Sequence, residues 1–417
     1  MKDKLYDMPA IEPDRFPDEL EIAFGKGEQR QTLIYQKVTW PVDGRAVGLR
    51  HGDNPGQPAA QYKLVNGNFV LAGVAPLDPS HRLASDPELL QRGKHPGKTM
   101  IRDVDIALDV LRYAGDAPTC IIVKHNNPCG AANAKTLDRA VVRAALANRI
   151  GAAGACAALN QAITPAAADA LLAAQLNVVA APAYEKEALE KLARQPSLCL
   201  LRIGNIARLN EWVGRPYLDF ASLMDGGLIV QLAEAPGAFT RENCRPARAT
   251  LPGTTQELRC KRQPTPDEWD DLFFAWRLAA AAASDSIVFV KSGATVCIGI
   301  AGQDRAAIAQ AARDKAYHKL ADRLAWERFK APFAALDEET MRDSIWTDAL
   351  ELKGGLIGAS MASDGALDDA DAIAVAAKEG VTAIIQPGGS PNDGELIRLC
   401  NEHNIAMVFT ARRIFRH

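Results

Sequence analysis

A lysine and a histidine stand side by side in Lys124-His125-Asn126-Asn127-Pro128-Cys129-Gly130, directly after the apolar run Cys120-Ile121-Ile122-Val123. A short β-branched run closed by Pro and Gly reads as a buried strand ending in a turn, and strand ends are where open α/β sheets hold ligands. Histidine titrates near neutrality and can take a proton from a weak nucleophile. The adjacent lysine offers a cation to a developing oxyanion or a proton to a leaving group. Neither role calls for a metal, and the zinc alternative fails on spacing: His125 is followed by two asparagines rather than Glu, and Cys129 by Gly130-Ala131-Ala132 rather than a second thiol.

Four further stretches could hold an anion. Pro387-Gly388-Gly389-Ser390 lies between a strand-like run and a helical one, so its backbone N–H groups can turn toward a phosphate or carboxylate. The C-terminal Arg412-Arg413-Ile414-Phe415-Arg416-His417 sets three arginines around an aromatic that could stack on a heterocycle. The polar turns Arg50-His51-Gly52-Asp53-Asn54-Pro55-Gly56-Gln57 and Gly302-Gln303-Asp304-Arg305 each bring an arginine to a loop dense in hydrogen-bonding groups. Taken singly, each is as well explained by a tight turn or a solvated basic segment.

The elements that must position these residues follow from the pattern. Strands are expected near 119–124, 176–181, 198–203, 286–291, 295–300, 381–386 and 405–409, alternating with helices that start at Thr136, Thr164-Pro165, Asp267, Arg305 and Asp393. This alternation predicts an α/β fold with a largely parallel, doubly covered sheet, or two of them. Residues 1–44 read as a polar leader packing on the core, 45–234 as a first domain, 235–266 as a connector and 267–417 as a second domain. Ile121–Gly130 with the helix after it and Ala383–Ser390 with the helix after it share one layout, which would suit an internal duplication.

Composition narrows the class. With 417 residues, 48% hydrophobic, 24% charged and a net charge of -3, the chain suits a large soluble enzyme and lacks the basic field of a nucleic-acid binder. No run is apolar and long enough for a bilayer, and Met1–Leu20 is no signal peptide, so no membrane association and a cytoplasmic location are expected. Eight cysteines without a Cys-x-x-Cys pair read as buried free thiols in a reducing compartment, Cys129 among them.

Together, Arg50 to Gln57, Lys124 to Gly130, Gly299 to Arg305, Pro387 to Ser390 and Arg413 to His417 resemble, in order, the transformylase half of the bifunctional AICAR transformylase/IMP cyclohydrolase family. The resemblance implies two similar cytidine-deaminase-like α/β/α domains in tandem without zinc. It also implies a homodimer with sites at the interface, and formyl transfer from the co-substrate 10-formyltetrahydrofolate to the amine of the small-molecule ribonucleotide AICAR. It makes His125 the base and Lys124 the oxyanion or leaving-group partner, with Asp285 as a third catalytic position. Arg50, His51, Asn126, Gly130, Gln303, Arg305, Arg413 and Phe415 become substrate contacts, and Asp371, Pro387, Gly388 and Gly389 folate contacts.

The departures are specific. The family's Ser-Asn-Ser turn reads Ser284-Asp285-Ser286, putting a carboxylate where an amide could donate a hydrogen bond. The aromatic folate loop reads Ser363-Asp364-Gly365-Ala366-Leu367-Asp368-Asp369, and the Ser-Tyr-Asn-Asn segment is replaced by Lys98–Arg102. The leader is too short for a cyclohydrolase domain, so IMP cyclisation is not expected. A paralogue that binds the nucleotide without catalysis, or uses another formyl donor or acceptor, is the alternative.

Overall fold

The computed structural model describes residues 16–52, 57–70, 81–215, 217–233, 240–250 and 255–417. Positions 53–56 of the first polar turn, and parts of the leader and of the 235–266 connector, lie outside the described residues.

Twelve strands make one continuous sheet. Numbered along the chain, the first six are β1 (Glu88–Gln91), β2 (Thr119–Lys124), β3 (Asn127–Asn133), β4 (Cys156–Leu159), β5 (Val178–Ala181) and β6 (Cys199–Arg202). The others are β7 (Arg245–Pro246), β8 (Ile287–Lys291), β9 (Ala294–Gly299), β10 (Ser360–Ser363), β11 (Ala383–Gln386) and β12 (Ala406–Phe409). Their spatial order is β7-β12-β11-β10-β8-β9-β3-β2-β4-β5-β6-β1. The sheet is mixed rather than largely parallel: β4-β5-β6 and β10-β11-β12 are parallel triplets, while the central hairpins and the edges pair antiparallel. Short runs such as Cys156-Ala157-Ala158-Leu159 are fully buried strands that periodicity alone could not separate from helix.

Reading outward from the β3–β9 junction, where Ala132 faces Ala294, both halves repeat one order: a hairpin, three parallel strands, an antiparallel edge strand. The helices repeat as well. Those used below are α1 (Lys98–Leu111), α2 (Leu137–Ala147), α3 (Pro165–Ala173), α4 (Lys186–Leu192), α5 (Pro266–Ala281), α6 (Arg305–Phe329), α7 (Glu339–Glu351), α8 (Asp371–Lys378) and α9 (Asp393–Glu402). The repeat therefore differs from the one the sequence suggested: β2 corresponds to β8, and Ala383–Gln386 to β5. Within the expected connector, Arg245 and Pro246 extend the sheet beside Phe409 and Val408, and the Cys260 sulfur accepts from Met407 N at 3.2 Å.

Local sequence explains the helix starts. Thr164 accepts from Ala167 N ahead of Pro165, Thr265 and Glu268 form a capping box, and Asp304 accepts from Ala306 N and Ala307 N. On one face α1 and α5 share a single core that crosses the whole sheet, including Val104, Ile121, Trp276, Val288, Ile385 and Val408. On the other face each half has its own core, around Leu171 and Leu200 in the first and Phe289 and Ile397 in the second. Burying Trp276 completely contributes on the order of 2–3 kcal/mol to holding the halves as one body. A three-stranded sheet of Glu19–Phe24, Gln31–Lys37 and Tyr62–Gly67 precedes β1, and Val38, Trp40 and Leu49 pack toward Leu89 and Ile101.

Strand direction fixes where the chemistry can lie. The pairings make β2, β9, β10, β11 and β12 run the same way, so their C-terminal ends emerge along one edge of the sheet.

Candidate active site

The expected turn is a two-residue β-hairpin, and the chain re-enters the sheet at Asn127 rather than continuing as a loop to Gly130. Lys124 pairs with Asn127 across His125 (φ 56°) and Asn126 (φ 62°), both left-handed. Two positive φ angles match the right-handed strand twist, and among residues with a side chain Asn and His tolerate them best. The turn is clamped from three sides. Asp103 of α1, 4% exposed, accepts from Asn126 N at 2.6 Å. Asn127 Oδ1 accepts from Ala283 N at 2.8 Å, while its Nδ2 donates to the His125 carbonyl at 3.1 Å. Arg416 Nη1 donates to the carbonyls of Asn126 (2.9 Å) and Ala281 (2.5 Å). Burial pushes the Asp103 carboxyl above its usual range, partly offset by the hydrogen bond from Asn126 N–H and by the neighbouring His125. Lys124 Nζ donates to the Ala153 carbonyl at 2.7 Å, leaving two of its three protons available.

A second wall comes from the other half. Asp285 is held by Arg305 at 2.7 Å, with side chains 19% and 14% exposed, and Arg305 also lies 3.7 Å from the fully buried Asp364. Asp364 Oδ2 accepts from Ser284 Oγ (2.6 Å) and Ser286 N (3.0 Å). Burial raises its pKa, and those two donors and Arg305 oppose the rise. The Phe415 ring sits between the guanidinium groups of Arg305 (5.5 Å) and Arg413 (5.2 Å). The C-terminal segment is stitched down by Ile414 N to the Asp364 carbonyl and Arg416 N to Ser284 Oγ. Gly365 packs directly here: a Cβ on it would collide with Arg305 and Phe415.

Beside this wall lies a cavity of about 710 Å³ lined by Arg245, Arg248, Arg305, Arg413, Phe415 and the Pro387–Gly389 turn. The turn does not present its amides as the sequence suggested. Gln386 Oε1 accepts from Gly388 N (3.2 Å) and Asp393 Oδ2 from Gly389 N (2.7 Å), so anion contacts in the cavity fall to the arginines.

The remaining expected residues are placed as follows. Arg50 and His51 precede α1, with Lys98 N donating to the His51 carbonyl at 3.0 Å and Arg50 Nη2 2.8 Å from His51 Nε2. Burial lowers the Arg50 pKa, and its Nε is buried without a partner. Gln303 is exposed just ahead of α6, and Asp371 is exposed in the first turn of α8, outside the cavity lining. Gly130 has a packing position: a Cβ there would strike the Ala144 carbonyl of α2. Cys129 is a protonated thiol at neutral pH, pushed up to about 11 by burial against the pull of Lys319 and Lys124.

Sequence reasoning missed Asp103, Asp364 and the clamping role of Arg416. Asp103 carried a signal, because it falls on the stripe of α1 otherwise filled by the buried Ala107, Val110 and Leu111. An acid on an apolar stripe needs a partner. Among the described residues, no three His, Cys, Asp or Glu side chains are grouped to hold a metal, and no helix is long and apolar enough to cross a membrane.

Residues 22–315 match the model of the AICARFT/IMPCHase bienzyme family. The chain belongs to that family. It is similar to the bifunctional purine biosynthesis protein PurH of Anaeromyxobacter sp. (strain Fw109-5), 32% identical over 378 residues covering 90% of this chain and 60% of that protein. The PurH of Roseobacter denitrificans is 33% identical over 394 residues, covering 93% of this chain and 64% of its own length. The chain thus spans somewhat under two thirds of these relatives, which are named as purine-biosynthesis proteins.

Proposed function

We propose that this chain is the transformylase of the family, moving a formyl group from 10-formyltetrahydrofolate to the 5-amino group of AICAR. The observation that supports it best is convergence at one sheet edge. The Lys124-His125 turn of the first half, the Asp285–Arg305 pair of the second and the C-terminal Arg413–Arg416 segment are joined there by hydrogen bonds within a single chain. The amine nitrogen attacks the formyl carbon, and His125 removes the amine proton as the bond forms. Lys124 stabilises the oxyanion and protonates the departing folate nitrogen as the carbon–nitrogen bond breaks, after which solvent restores both groups. Arg305, Arg413 and Phe415 hold the nucleotide by charge and stacking. The repeated strand order supports two cytidine-deaminase-like units, and the family resemblance supports a homodimer that shares its sites.

The test is turnover of AICAR and 10-formyltetrahydrofolate by the purified chain, followed as tetrahydrofolate release. His125→Ala should abolish product while leaving nucleotide affinity within a few fold. Turnover unchanged by that substitution removes His125 as base, and no turnover by the unaltered chain removes the reaction.

One observation favours a second reading, in which the formyl donor is a small anion such as formyl phosphate or the chain binds nucleotide without catalysis. The Pro387–Gly389 cavity is lined by arginines, and the loop beside it offers Gly365-Ala366-Leu367 in place of aromatic rings. Calorimetry with AICAR and a folate analogue separates the readings: nucleotide binding without any folate binding supports the second.

A further inference from the structure

The duplicated topology carries the turn chemistry twice. At the end of β8, the counterpart of β2, Lys291 is followed by Ser292 (φ 51°) and Gly293 (φ 71°), the same left-handed pair that His125 and Asn126 form after Lys124. Asp271 of α5 accepts from Ser292 N (2.7 Å) and Gly293 N (2.6 Å), as Asp103 of α1 accepts from Asn126 N. The glycine ahead of the next strand is repeated too: Gly154 N donates to the Gln175 carbonyl at 2.8 Å and Gly358 N to that of Gly380 at 2.7 Å. A Cβ placed on Gly358 lies 3.9 Å from Lys291 Cε, so Lys291 stands over its strand junction as Lys124 stands over Ala153.

What Lys291 faces is a cavity of about 570 Å³ between α2 and α6, on the opposite edge of the sheet from the Lys124-His125 turn. Its charged lining is Arg143, Lys291, Lys319 and Arg323 against one carboxylate, Glu327, with Ala294, Val296 and Ala316 as an apolar floor. Arg143 spends its protons on the carbonyls of Asn133 (2.7 Å) and Ser292 (2.5 Å), which orient it without neutralising it. Arg323 Nε lies 3.8 Å from Glu327 Oε1, an ion-pair distance, and is buried without a hydrogen-bond partner. Among the described residues neither Lys291 nor Lys319 has an ion pair.

Four cations around one carboxylate leave an uncompensated positive field in a concave space of small-molecule size. A phosphomonoester is nearly a dianion at neutral pH with three acceptor oxygens, which suits converging lysine and arginine donors better than a single carboxylate does. Ser292 stands where the first half has His125, and a serine hydroxyl does not take up protons at neutral pH. We propose that this cavity is a second site, one that binds a phosphomonoester-bearing small molecule and does no chemistry on it. The assignment goes beyond the formyl-transfer reading and does not depend on it, since the two sites lie on opposite edges.

The experiment is calorimetric titration of the full chain with ribose 5-phosphate at low salt, compared with Lys291→Gln/Lys319→Gln and Lys291→Arg/Lys319→Arg. Both lysines are at least partly exposed, so the variants should keep the circular dichroism of the parent. The expected result is that the glutamine pair loses one equivalent of binding per chain, or weakens it at least tenfold, while the arginine pair retains it. Equal stoichiometry and affinity in the glutamine pair overturns the proposal, as does a parent chain that binds no ribose 5-phosphate. Failure of formyl transfer would leave this result untouched.

Discussion

Removing the Asp103 carboxylate should disable the turn without touching the groups that line the arginine-rich cavity proposed to hold the nucleotide. The hairpin holds two non-glycine residues at positive φ, each costing on the order of 1 kcal/mol or more, so it needs an external clamp. Asp103 supplies one with a buried 2.6 Å bond to Asn126 N, and a bond of that kind to a charged acceptor contributes about 1.5–3 kcal/mol. If that stabilisation is what keeps His125 aimed at the amine, its loss appears in the barrier, where about 1.4 kcal/mol is a factor of ten. Asp103→Ala should therefore lower kcat roughly 10- to 150-fold, with KM for the nucleotide within a few fold. Asp103→Asn keeps an acceptor oxygen but no charge and should recover part of the loss. The wild-type carboxyl has a raised pKa through burial, so its ionised form opposes folding. Stability of Asp103→Asn relative to the parent should accordingly increase as pH rises from near 3.8 through the raised value, then level off. Steady-state kinetics and urea unfolding read both effects. An alanine variant with parental kcat, or one whose whole defect lies in KM, would refute the positioning argument.

Gly365→Ala places a methyl against the Arg305 guanidinium and the Phe415 ring; overpacking of this kind costs about 1–3 kcal/mol, and calorimetry should show nucleotide affinity at least tenfold weaker as Arg305 is displaced from Asp285. Arg416→Gln loses the bonds to the Asn126 and Ala281 carbonyls and should reduce kcat more than it reduces Tm, measured on one preparation. Asp393 also has a pKa raised by burial, with one oxygen unpaired, so its charge destabilises the fold above its folded pKa. The stability difference between Asp393→Asn and parent should rise from near pH 4 toward neutrality in urea unfolding; a flat difference would contradict the assignment.

Strands with β-branched runs, such as Ile121-Ile122-Val123 and Ile287-Val288-Phe289-Val290, were legible because both faces are buried and the residues are all of strand type. Asn127–Asn133 was not, since Asn-Pro-Cys-Gly-Ala-Ala-Asn carries turn signals along a segment whose strand state comes from pairing with β2 and β9. The same tertiary override hid the alanine- and serine-rich β4 and β10. In the candidate site, the residue types suited to proton transfer and anion binding announced themselves. Residues that act by holding others, Asp103 on Asn126 and Asp364 on Ser284 and Ser286, are visible only once their partners are neighbours in space. The glycine turn at 387–389 misled for a related reason. Its amides were free in the sequence, but Gln386 and Asp393 fold back onto them.

The duplication explains why the candidate chemistry sits in the first half only. Both halves keep the strand-end lysine, the left-handed pair and the helix carboxylate that clamps it. The first half also receives the C-terminal segment of the second: Arg416 reaches the Asn126 carbonyl, and Ala283 N caps Asn127. Any hinge between the halves would move these donors against the histidine, and a displacement of about 1 Å is enough to cost two orders of magnitude in rate. The continuous twelve-stranded sheet and the core that α1 and α5 share across it oppose such a hinge. On this argument, weakening the shared core at Trp276 should impair formyl transfer before it unfolds the chain, because alignment across the halves fails while each half still keeps its own core on the opposite face.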